Sequence, residues 1–192
     1  MTARKFTMEA LDWDSWLQTI DVAQATPEQI AVLEKSLPTA KTSPYYLLLV
    51  HDVAALGQRS PLFNAVMYGP RGLPRAEREL ATVAVSHING CAYCASVHAR
   101  RFAELTKQPD IMQRLFDEGL DTELEPRRRA IVDYAAKLTR APQRMTAADL
   151  APLRAVGMTD LEILDLTHAA AMFAWANRLM QTLGEPVAPA KM

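Results

Sequence analysis

The sequence predicts an all-α fold, a helical bundle in one domain. Helix-period apolar patterning with recognisable starts and stops recurs from end to end, while alternating runs rich in Val, Ile, Thr and Tyr, the mark of strands, are absent. A chain of 192 residues, 49% hydrophobic and 22% charged, can bury a single sizeable core and has the composition of neither a disordered nor a fibrous protein. One domain over residues 1–192 is expected, with residues 1–40 as a less periodic N-terminal helical arm.

The helices can be taken in order from their ends. "TPEQIAVLEKSL" opens with Thr26 as cap, Pro27 at the first helical position and Gln29 where a capping box places it. "SPYYLLLVHDVAAL" and "SPLFNAVMYG" each begin with Ser-Pro, at Ser43 and Ser60, and read as two helices, the second ending at Gly69 in a left-handed turn. "LPRAERELATVAVSHI" starts after Pro74 with acids in its first turn and runs into Asn89-Gly90, which should break it. A new helix should follow at once. "PDIMQRLFDEG" and "PRRRAIVDYAAKLTRAP" have prolines at their starts, and "TAADLAPLRAVG" is a shorter helix ending at Gly157. "TDLEILDLTHAAAMFAWANRLMQTLG" begins with a capping box of Thr159 and Glu162 and ends at Gly184, leaving "EPVAPAKM" as a loose end or a clasp on a neighbour.

A faint internal echo aligns "GLPRAERELATVA" from Gly72 with "GMTDLEILDLTHA" from Gly157, which leaves open a build from two related helical hairpins. Under that alignment Cys91 and Cys94 fall on Ala176 and Leu179, so only the first copy can carry thiol chemistry.

Charge and hydropathy exclude two classes of partner. The formal net charge is -1 and the longest basic run is Arg127 to Arg129, read as a solvated face at a helix start, so nucleic acid is not an expected partner. No segment approaches the roughly eighteen apolar residues that span a bilayer, and "MTARKFTMEALDWDSW" carries acids where a signal peptide needs an apolar stretch. A cytosolic protein without membrane attachment is expected. In that reducing compartment a close cysteine pair reads as catalytic or metal-binding before it reads as a structural staple.

Both cysteines lie in "ERELATVAVSHINGCAYCASVHARR". With a helix starting after Gly90, Cys91 sits at its cap, Cys94 in its first turn and His98 one turn further on the same face. The partial positive charge and unpaired N–H groups of a helix N-terminus favour a thiolate. Spacing of four lets His98 take or relay a proton from Cys94. If one thiolate reduces an oxidant and becomes a sulfenic acid, the other can condense with it to a disulfide. A carboxylate on the preceding helix would complete a relay, and Glu79, set among apolar residues, is the candidate. Position alone favours Cys91 as the better thiolate.

The set Glu79, Val85, Ser86, Asn89, Cys91, Tyr93, Cys94 and His98 resembles the core of the AhpD-like, or carboxymuconolactone decarboxylase-like, superfamily, and the "FAWANRLMQTLG" stretch is similar to its peroxidase-related branch. The resemblance covers roughly 45–184. It implies a thiol peroxidase without cofactor, in which Cys94 attacks a hydroperoxide, Cys91 resolves it, and Glu79 and His98 relay protons. It also implies a homo-oligomer re-reduced by a lipoyl or thioredoxin-like dithiol. Tyr93 departs from the histidine that well-studied members carry before the second cysteine, which implies a shorter relay. Decarboxylases of the superfamily lack the cysteine pair.

Two other readings use the same residues. Cys91, Cys94 and His98, with Glu79 or His87, are acceptable zinc ligands, although no second CxxC or HxxxH supports such a site. Alternatively the cysteines are core packing in a silent helical oligomer. His87 reads as a residue of the site mouth or an ordinary half-buried histidine, His51 and His168 as satisfied core residues, and Met172, Phe173, Trp175 and Met180 as core or subunit interface.

Overall fold

The first five residues of the chain and the last three lie outside the described part of the structure, a computed structural model that describes residues 6–189. Nine helices were found among these residues: α1 Pro27–Ser36, α2 Pro44–Leu49, α3 Val53–Tyr68, α4 Arg75–Asn89, α5 Ala92–Thr106, α6 Pro109–Asp117, α7 Pro126–Arg140, α8 Ala151–Ala155 and α9 Asp160–Thr182. Both capping boxes form as their spacing requires, Thr26 with Gln29 and Thr159 with Glu162.

The region before α4 departs from expectation. The first Ser-Pro segment does not run on as one helix, because the Asp52 carboxylate accepts from Ala55 N at 2.9 Å and starts α3 afresh. The second Ser-Pro is no start at all: Pro61 lies inside α3. It forfeits one internal hydrogen bond, and burial of Leu56, Phe63, Val66 and Met67 holds the helix continuous across it. Gly69 ends α3 with φ -53, not with the left-handed turn its identity suggested.

Two short strands, β1 Asp12–Ser15 and β2 Gly184–Val187, pair antiparallel. They replace part of the expected helical arm, in which only α1 is α-helical among described residues, and they account for the tail. The clasp is thus made with the chain's own N-terminal segment; residues 190–192 lie outside the described range. Trp13 is buried in it, with its indole N–H on Met180 O at 2.9 Å. Gly184 lies so close that an added Cβ would sit 2.2 Å from both Asp14 O and the Trp13 ring, so only glycine fits.

The main core lies between α4, α7 and α9, with α3, α5 and α6 against it. A second, smaller cluster joins Trp13, Leu33, Tyr45, Tyr46, Leu48, Val50, Leu56 and Met180 to the two cysteines. The echo is real at one place: α4 and α9 each begin three residues after the matched glycines, Gly72 and Gly157, and the matched Glu77 and Glu162 both bind Arg127, at 2.8 and 2.7 Å. It goes no further, because β2 follows α9 where a second hairpin needs a helix. Arg127 is therefore not the solvated residue it was read as. Arg129 likewise turns inward onto Leu120 O and Thr122 O, and Arg128 lies over the Phe102 ring.

Candidate active site

The cysteine segment is shaped by the turn between α4 and α5. Gly90 takes φ 74, a left-handed conformation that a side chain resists, and this reverses the chain so that α5 packs back along α4. Cys91 N bonds to Ser86 O at 2.9 Å, closing the turn, and Cys91 is the N-cap of α5. Cys94 follows in the first helical turn. The two sulfurs are 2.9 Å apart, both residues are buried, and neither is in a disulfide.

The turn is held from α9 by a residue that sequence reasoning passed over. Asn177 is fully buried; its amide donates to Ser86 Oγ at 3.1 Å and its carbonyl accepts from Asn89 Nδ2 at 3.1 Å. Gln181 adds a bond to Asn89 O at 2.7 Å. Asn177 also hydrogen-bonds the Cys94 sulfur. Its only sequence signal was its place in the stretch similar to peroxidase-related proteins.

Glu79 is fully buried on α4, not facing solvent. Its Oε1 accepts from Arg75 Nε at 2.5 Å, and its Oε2 pairs with His98 Nδ1. Burial raises the Glu79 carboxyl pKa, yet the His98 imidazole and the Arg75 guanidinium outweigh it, so the group lies below the usual carboxylate range and is ionised. Phe173 meets the His98 ring edge-on, centroids 4.4 Å apart, and fixes the imidazole from the other side. Phe173 and Met180 are thus part of the site and not core alone.

Cys94 and His98 line one cavity of about 270 Å³, together with Tyr93, Phe173 and Met180. Tyr45, Tyr46 and Arg59 reach it from α2 and α3, some thirty residues and more before the cysteines, and no motif pointed to them. Cys91 is not among the lining residues. Of the four residues singled out from sequence, Glu79 and His98 are in contact, Cys91 and Cys94 are in contact, and His98 and Cys94 share the cavity wall. The expected acidification does not hold at Cys94: contact with the Cys91 thiol, then burial, push its thiol well up, and the bond from Asn177 only moderates this.

The remaining histidines fall elsewhere. His87 stacks on Phe6, centroids 4.3 Å apart, away from the cavity lining. His51 and His168 are exposed rather than core residues, His51 on Gln18 O at 2.9 Å. A zinc site has no support in this geometry, because both Glu79 oxygens are engaged and no group of three His, Cys, Asp or Glu able to hold a metal ion occurs among the described residues. No helix among them is long and apolar enough to cross a membrane.

Residues 55–137 match the family model of the carboxymuconolactone decarboxylase family. The structure is similar to the alkylhydroperoxidase AhpD core of a peroxidase-related protein from Ralstonia eutropha JMP134, at a TM-score of 0.77 and 26% identity over 88% of this chain and 90% of that one. It is similar to a peroxidase-related protein from Silicibacter sp. TM1040, at 0.69 and 28% over 86% and 88%. The debrominase Bmp8 shares the fold at 0.69 and 14% identity over 86% and 88%. No curated protein matches the chain in sequence at a significant level.

Proposed function

Because the chain belongs to the AhpD-like, carboxymuconolactone decarboxylase-like superfamily, whose fold also serves a debrominase, its reaction must be argued from the site, and we propose that it is a thiol peroxidase. One observation carries the reading: two thiols in contact and not joined in a disulfide, one of them on a cavity wall beside an imidazole held by a buried carboxylate.

In this reading Glu79 fixes the His98 tautomer with the proton on Nδ1, which leaves Nε2 as the base. Cys94 is a thiol at rest, so its proton passes to His98 as sulfur attacks the outer peroxide oxygen. The O–O bond breaks and the alkoxide leaves as the alcohol, taking that proton. Cys94 is oxidised to the sulfenic acid. The Cys91 sulfur then attacks it, water leaves, and a disulfide forms; an external dithiol, lipoyl or thioredoxin-like, returns two electrons. The 2.9 Å between sulfurs supports fast condensation. Tyr93 stands where related proteins have a histidine, so the relay is Glu79 and His98 alone.

The setting in which such a pair is re-reduced is the cytosol. We place a second copy of the chain on the exposed stripe of Leu161, Leu164 and Trp175 on α9, with Leu62 beside it; a light-scattering mass of one chain would remove that assignment. The reaction itself is tested by hydroperoxide consumption coupled to dihydrolipoamide oxidation. Wild-type protein should turn over, Cys94→Ser should not, and Cys91→Ser should stop after one equivalent. Undiminished turnover in both variants would overturn the mechanism.

A further inference from the structure

Arg59 is a buried cation that the fold does not neutralise. It lines the cavity that holds Cys94 and is 8% exposed. Among the described residues no carboxylate meets it: its hydrogen bond is from Nη1 to Tyr46 Oη at 2.6 Å, and its buried Nε has no partner. Its guanidinium carbon lies 4.4 Å from the Phe63 ring centroid, 5.2 Å from Tyr46 and 6.0 Å from Tyr45. Aromatic faces attract and orient a cation, but they supply no counter-charge. Taking a guanidinium out of water costs several kcal/mol, which a matching anion offsets.

The other polar groups in the cavity leave that charge uncompensated. Arg75 is matched by Glu79 and stacks on Tyr68, 4.1 Å from its ring centroid. Tyr45 Oη, also buried and without a hydrogen-bond partner, stays a neutral phenol because burial raises its pKa. The Cys94 thiol is neutral at rest for the reasons given above. The cavity therefore presents one unmatched positive charge, an unused hydroxyl, and apolar walls at Phe63, Val97, Phe173 and Met180.

We propose that the substrate is a compact organic hydroperoxide bearing a carboxylate, with Arg59 binding the carboxylate while the peroxide reaches Cys94. This rests on the thiol-peroxidase reading and adds to it a substrate class. The apolar walls take the organic body, and about 270 Å³ lies just below the ~300–1,000 Å³ of sites for drug-sized ligands. A single-ring or short-chain acid fits that volume. The product is the corresponding hydroxy acid, formed by the two-electron O–O cleavage written above.

The test uses the full chain and a matched pair, cumene hydroperoxide and its para-carboxylate, with dihydrolipoamide as reductant. A charge-assisted bond to the carboxylate should make kcat/KM about tenfold or more higher for the acid in the wild-type protein. Arg59→Met should bring the ratio to about one, and Arg59→Lys should restore part of it. Equal kcat/KM for the two substrates in wild-type protein, or an unchanged preference in Arg59→Met, would overturn the proposal; the first comparison needs no variant to fold. Calorimetric titration with 4-isopropylbenzoate separates this from the peroxidase reading. If neither hydroperoxide is consumed, that reading falls, while binding that requires Arg59 upholds the anion site and no binding overturns it.

Discussion

Arg78 and Arg59 are both buried arginines, 1% and 8% exposed, and the fold treats them in opposite ways. At the α4–α9 junction Arg78 donates to Gly69 O at 3.0 Å, Arg71 O at 2.6 Å and Asp165 Oδ2 at 3.1 Å, and Asp165 in turn accepts from Leu73 N at 2.9 Å. Arg127 nearby is matched by two glutamates. At the cysteine cavity Arg59 has three aromatic rings and a phenol. Each arginine has an unpartnered Nε, so the difference lies in the carboxylate. Where a buried cation holds helices together it is matched by an acid; where none is supplied, the counter-charge is left for a ligand.

The widest separation between the two regions is in activity. Cys94→Ser should reduce hydroperoxide turnover to background with little change in melting temperature, whereas substitutions at the junction should act through stability. Arg78→Met strands Asp165 and two carbonyls, at about 3 kcal/mol, read as a fall of roughly 6–12 °C in Tm. Arg59→Met should leave Tm unchanged or raised, since it removes an unmatched buried charge. Equal losses from the two arginines would erase the comparison.

Glu79→Gln removes the charge that orients His98 and should lower kcat by about 10²-fold. It also carries a pH signature. The folded pKa of Glu79 is depressed, so its contribution to stability is full above the ordinary carboxylate value of about 4.3 and is lost as pH falls below it. The variant should show a flatter acid limb in Tm against pH. The smallest effect concerns Cys94 itself: in reduced protein its alkylation by iodoacetamide should be half-maximal above the ordinary thiol value of about 8.5. A midpoint below neutrality would mean that Cys94 rests as a thiolate, which would contradict the thiol-to-His98 proton transfer.

Local chemistry made much of this legible in advance. Thr26 with Gln29 and Thr159 with Glu162 are contacts three residues apart, and Gly90 terminates its helix by its own backbone preference, so neighbouring letters suffice to read them. The same holds for Cys91, Cys94 and His98, which share one face of α5. Glu79 was reachable because an acid in an apolar run demands a partner.

What stayed hidden depends on packing at long range. Whether Pro61 breaks α3 depends on what its neighbours bury against, and whether Arg127 is solvated depends on glutamates 50 and 35 residues away. The β1–β2 clasp joins the two ends of the chain through four-residue strands, too short to show alternation. Arg59 looks from its neighbours like any helical arginine; its missing acid is visible only once the other helices close the cavity around it. The same applies to Asn177, whose partners lie 91 and 88 residues away.

The central claim is that Cys94 is the sulfur that meets the oxidant and Cys91 the one that resolves it. Trapping decides it: reduced Cys91→Ser and Cys94→Ser proteins are each treated with one equivalent of cumene hydroperoxide in the presence of dimedone and read by peptide mass spectrometry. The account predicts a dimedone adduct on Cys94 in the first protein and none in the second. An adduct on Cys91 in the second, with Cys94 unmodified in the first, would contradict it.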